Sequence, residues 1–172
     1  MTPKPLKPII LNILISAAGL LCVLSLVMPY ACQPSARDTA FQAIDQKLGV
    51  VTYGYKFNAT FTLAVMVMVF GGVIMLARGV MQTLSYFVKP LEKKYGLGGQ
   101  KYGKATIAGG AGAIAASVVM LIGPSGLFGS EIGATRGAGA YVGLAFAIFG
   151  FIAAVAEFFL SNKKTNSDKT EQ

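Results

Sequence analysis

Four long apolar runs, separated by short polar stretches, organise this chain. The first, Ile9 to Met28, reads IILNILISAAGLLCVLSLVM and is closed by Pro29. The second runs from Phe57 to Ala77, the third from Ala105 to Ile122, and the fourth from Ala138 to Leu160. Apolar runs of about 18 residues or more predict helices that cross a bilayer, since a rise of about 1.5 Å per residue carries them across a hydrocarbon core of about 30 Å. The first run follows Lys4 and Lys7 in the manner of a signal peptide. It exceeds the usual apolar length of such peptides, about 7–15 residues, and is expected to remain as a span.

The second run extends past Arg78 through GVMQTLSYFV to Val88. Val80, Leu84, Phe87 and Val88 fall on one side of a helix, with Gln82 and Ser85 elsewhere. This pattern predicts that the helix continues into the headgroup zone, with Arg78 snorkelling to the interface. Pro90 discourages further helix.

The polar stretches set orientation. With the N-terminus inside, the inner segments hold Lys4, Lys7, Arg78, Lys89, Lys93, Lys94, Lys101, Lys104, Lys163, Lys164 and Lys169, while the outer ones hold only Arg37, Lys47, Lys56 and Arg136. Short loops rich in lysine and arginine stay on the cytoplasmic side. The sequence therefore predicts an all-α membrane protein, a four-transmembrane-helix bundle with both termini cytoplasmic, multi-pass in the plasma membrane. Residues 1–162 form the one domain, and the apolar-free tail 163–172 is expected to be disordered.

The outer loops differ in character. In ARDTAFQAIDQKLG, Phe41, Ile44 and Leu48 recur at helical spacing, and VVTYGYKF then alternates as a strand does. A small ordered first outer loop is expected. The second, GPSGLFGSEIGATRGAG, reads as a flexible connection.

Composition narrows the functional classes. The net charge is +8, yet the chain is 54% apolar and 13% charged. Its basic residues cluster beside the spans, where they meet anionic lipid headgroups, so lipid is the expected partner and nucleic acid is not. Lys89, Lys93, Lys94, Lys101 and Lys104 form such a lipid-facing loop between the second and third spans. That loop lacks the spacing of a phosphate-binding loop and follows no strand. Histidine, the commonest metal ligand and general base, is absent. Paired carboxylates, nucleophile–base pairs and metal-ligand spacings are missing too. The sequence thus points to a non-enzyme without cofactor or metal.

Small residues carry the most specific signal. Gly109, Ala113 and Ser117 lie four apart in the third run, as do Gly139, Gly143 and Ala147 in the fourth. That spacing lines one helix face and allows close backbone approach, either within the bundle or between protomers. Glu157 is the only acid inside a run, which makes it a candidate ion or proton site. Lying one turn from the end, with Lys163 and Lys164 beyond, it is expected to reach the inner interface and stay hydrated. Asn12 is placed to hydrogen-bond a neighbouring helix. Cys22 and Cys32 stand about 15 Å apart along a helix, too far for a disulfide.

The function expected from these features is helix–helix packing: an accessory or assembly subunit, or a self-associating scaffold, partnered by other membrane helices or by its own copies. The alternative is a small oligomeric channel or transporter for an ion or small solute.

Overall fold

The computed structural model describes residues 6–32, 37–39, 59–88, 100–122 and 135–170, with side chains over 6–29, 62–88, 103–122 and 137–160. Helix α1 covers Leu6–Leu24 and tightens into a 3₁₀ turn over Ser25–Val27. Pro8 sits in its first turn, where a missing N–H costs no helical hydrogen bond. Helix α2 covers Ala59–Ser85, α3 Gln100–Ile122 and α4 Ala138–Thr170. All four are long and apolar enough to cross a membrane. They form a ring in which α1 packs on α2, α2 on α3, α3 on α4 and α4 back on α1.

Burial follows the ring. Ile15, Cys22 and Leu26 of the first span, Met68 and Met75 of α2, Ala113 and Met120 of α3, and Ala140 and Ala147 of α4 fill the interior. Large apolar side chains also cover the outside, among them Ile13, Leu63, Phe70, Ile152 and Phe159. A fold apolar on both its inner and outer surfaces suits lipid rather than water.

Glycines set the helix spacing. A side chain on Gly19 would place its Cβ 2.5 Å from the Gly72 carbonyl oxygen, and one on Gly71 would come as near the Gly109 carbonyl oxygen. The α1–α2 and α2–α3 pairs are thus in backbone contact, where dispersion gains are largest.

Three short strands cap one end. Strand β1 (Pro29–Cys32) lies between β2 (Arg37–Thr39) and β3 (Thr135–Arg136), antiparallel to both. This departs from the sequence reading. Arg37–Thr39 falls at the start of the stretch expected as a helix, and Thr135–Arg136 in the one expected as a flexible connection. Backbone pairing between distant segments satisfies their N–H and C=O groups and leaves no local period to detect. The remainder of the loop between α1 and α2, including Phe41, Ile44 and Leu48, lies outside the described residues.

The tail also differs from expectation. Helix α4 runs on to Thr170, so residues 163–170 are helical rather than disordered. SNKKTNSDKT contains neither glycine nor proline, and extending an existing helix avoids the cost of nucleating one.

Candidate functional site

The small-residue faces point into the bundle. Gly109, Ala113, Ser117, Gly139, Gly143 and Ala147 are all buried. Gly109 faces Ile74 and Gly71 of α2. The Ser117 hydroxyl donates to the Ala113 carbonyl at 2.8 Å and lies 3.6 Å from the Met68 sulfur. The Cys22 thiol lies 3.9 Å from the Gly143 carbonyl oxygen. These residues pack the protein's own helices. Gly19, Gly71, Gly72 and Gly79 make equally close approaches and were not singled out from the sequence. The signal was present as Gly72 and Gly79, two turns apart on one face of α2.

The polar residues at the helix ends nearest the chain termini do not reach outward as expected. Glu157 is 5% exposed, so it is held within the bundle rather than hydrated at the interface. Gln82 and Ser85 are buried at 1% and 3%, while Val80, Leu84, Phe87 and Val88 are exposed. The end of α2 is thus oriented apolar side out and polar side in, the arrangement that suits a lipid surrounding. Arg78 is half-buried and does not snorkel freely: its guanidinium donates to the Gln82 side-chain carbonyl, one turn on. It also stands near enough to Glu157 for the two charges to interact.

Helix register brings a polar residue from every helix to one depth. Gly150 of α4 abuts Met75 of α2 and Ala18 of α1. From that level Asn12 lies six residues along α1, Gln82 seven along α2 and Glu157 seven along α4, all toward the end where both chain termini lie. These steps amount to about 9–10.5 Å. On α3, Gly110 abuts Phe151 and Gly103 abuts Phe158, which puts Thr106 within about 3 Å of the same depth. Asn12 and Gln82 are 1% exposed and Thr106 2%. Tyr86 completes the α2 series Arg78, Gln82, Tyr86, and its hydroxyl feels the charges of both Arg78 and Glu157.

This layer is only partly satisfied internally. The Asn12 amide donates to the Pro8 carbonyl at 2.7 Å, within its own helix and not across to a neighbour as the sequence led us to expect. Ser85 similarly donates to the Gln82 carbonyl at 2.7 Å. Asn12 Oδ1 and Thr83 Oγ1 are buried without hydrogen-bond partners among the described residues, while the Tyr86 hydroxyl lies beside Gln82. Buried polar atoms of this kind call for a reason, because each costs about 1–3 kcal/mol.

Of the basic loop, Lys89, Lys93 and Lys94 lie outside the described residues, while Lys101 and Lys104 belong to the first turns of α3, with Lys104 exposed. Among the described residues no group of three or more His, Cys, Asp or Glu is placed to hold a metal.

The fold and its buried layer define a class: a bundle of four candidate membrane-spanning helices with one polar storey inside it. No protein-family model, curated protein or solved structure matches the chain.

Proposed function

We propose that this protein is a non-catalytic scaffold of the plasma membrane, with both termini cytoplasmic, that works by helix packing and associates with its own copies through α3. One observation carries this reading. The outward side of α3 presents Ala105, Ala108, Ala111 and Ala115, all exposed. The outward sides of the other helices are lined mainly by large side chains such as Leu20, Phe70 and Phe149. Bulky side chains mix well with lipid tails, whereas a smooth alanine face lets a second helix approach closely. Copies inserted in one orientation relate by a two-fold axis along the membrane normal, which sets this face against itself. The glycines and alanines of the interior are already engaged, so the alanine face is the small-residue surface left for association. The same close filling of the interior by Met68, Met75 and Met120 favours packing over conduction.

Ala111→Cys, in a chain with Cys22 and Cys32 replaced by serine, should form a disulfide-linked dimer when membranes are oxidised. Ile152→Cys, on the bulky outward side of α4, serves as the comparator and should stay monomeric. Equal crosslinking at both positions would mean random collision and would remove α3 as an interface.

Orientation has its own check. Single cysteines at Gly99 and Ser161 should resist a membrane-impermeant thiol reagent applied outside intact cells, while one at Gln46 should react. Labelling at Gly99 would invert the arrangement.

A further inference from the structure

The buried storey formed by Asn12, Arg78, Gln82, Thr106 and Glu157 has no part in self-association through α3. Every helix contributes to it, and the membrane-embedded end of a scaffold does not require it. Apolar residues would fill the same space without the cost of burying a carboxylate. What the layer does possess is one titratable acid, one fixed cation beside it, and an acceptor oxygen, Asn12 Oδ1, left open.

We propose that this storey is a proton-binding site, with Glu157 as the group that takes the proton and Arg78 as its counter-ion. With Glu157 ionised, its charge and that of Arg78 cancel, and the layer is neutral overall. When the carboxylate takes a proton from solvent, forming its O–H bond, the layer gains a net positive charge. The new O–H also becomes a donor in a layer where Asn12 Oδ1 lacks a partner. Arg78 then keeps its hydrogen bond to Gln82, one turn nearer the chain termini. Gln82 therefore holds the guanidinium whether or not Glu157 carries its charge.

The surroundings restrict which other groups can take part. From α2, Arg78 and Tyr86 face the site. On α1 and α3 the buried polar residues at the same depth are the neutral Asn12 and Thr106, whereas Lys7 and Lys104 are exposed. Glu157 is the only carboxylate in the four spans, so its protonation can be read separately from that of the other acids.

Infrared spectroscopy of the full-length protein in lipid vesicles, titrated with pH, tests this directly. The wild type should show a protonated-carboxyl band, at a frequency typical of an apolar setting, that disappears reversibly as the pH rises. Glu157→Gln should lack the band. Arg78→Gln should displace its titration midpoint, and Arg78→Lys should bring the midpoint most of the way back. If Glu157→Gln does not fold, Glu157→Asp should keep a titrating band but shift its frequency. The proposal is overturned if no such band titrates in the wild type, if it survives unchanged in Glu157→Gln or Glu157→Asp, or if Arg78→Gln leaves the midpoint in place.

Discussion

Arg78→Leu should destabilise the bundle by about 3 kcal/mol at most, the low end of the range for a fully buried charge pair, because Arg78 is itself only half-buried. The reason is the position of Glu157, which is 5% exposed and lies on α4 within electrostatic reach of that guanidinium. Without Arg78 the carboxylate keeps its desolvation cost and loses the nearby opposite charge. Glu157→Leu should cost less, because Arg78 is only half-buried and retains Gln82 as a partner. The informative variant is the double one. Replacing both charges by leucine removes both desolvation costs, and its stability should lie well above that of Arg78→Leu alone. Denaturant unfolding of the purified protein in detergent, run as a double-mutant cycle, measures the coupling. Strictly additive losses would show that the two charges do not interact.

Gly19→Ala should lower stability by about 1–3 kcal/mol although it adds one methyl group. The new Cβ would lie 2.5 Å from the Gly72 carbonyl oxygen and 2.7 Å from the Leu76 nitrogen. These are backbone atoms of α2, which cannot rotate aside as a side chain does, so the two helices have to separate. Gly112→Ala supplies the contrast: its nearest neighbour would be a Val67 methyl at 3.4 Å, an ordinary contact. There the better helix propensity of alanine, about 0.5–1 kcal/mol, should leave stability unchanged or raised. Thermal unfolding in detergent compares the two. If Gly19→Ala is tolerated as well as Gly112→Ala, the α1–α2 contact is looser than described.

The spans were legible because each is a long run of one character, and length alone distinguishes a membrane helix from a buried one. Their boundaries agree with the runs to within a few residues, including the expected continuation of α2 past Arg78 to Ser85, except where α4 runs past Leu160 to Thr170. The polar layer was harder to see. Its members are single residues on four different helices, and Glu157 and Arg78 are 79 positions apart. In the end of α2, the apolar side of the helix was visible but its direction was not. In a soluble protein that side would face inward; here Leu84 and Phe87 face outward and Gln82 inward.

By itself the sequence determined that four apolar helices form, how long they are, and that small residues recur at four-residue spacing on two of them. Those properties depend on composition and local period, which the chain carries wherever its helices end up. The tertiary structure alone decided that these small residues are used up inside the bundle, that α3 keeps an alanine face outside, and that Asn12, Gln82, Thr106 and Glu157 meet at one depth. Depth and facing depend on the relative rotation and shift of packed helices. Backbone contacts such as Gly19 with Gly72 and Gly71 with Gly109 fix both, and no single segment encodes them.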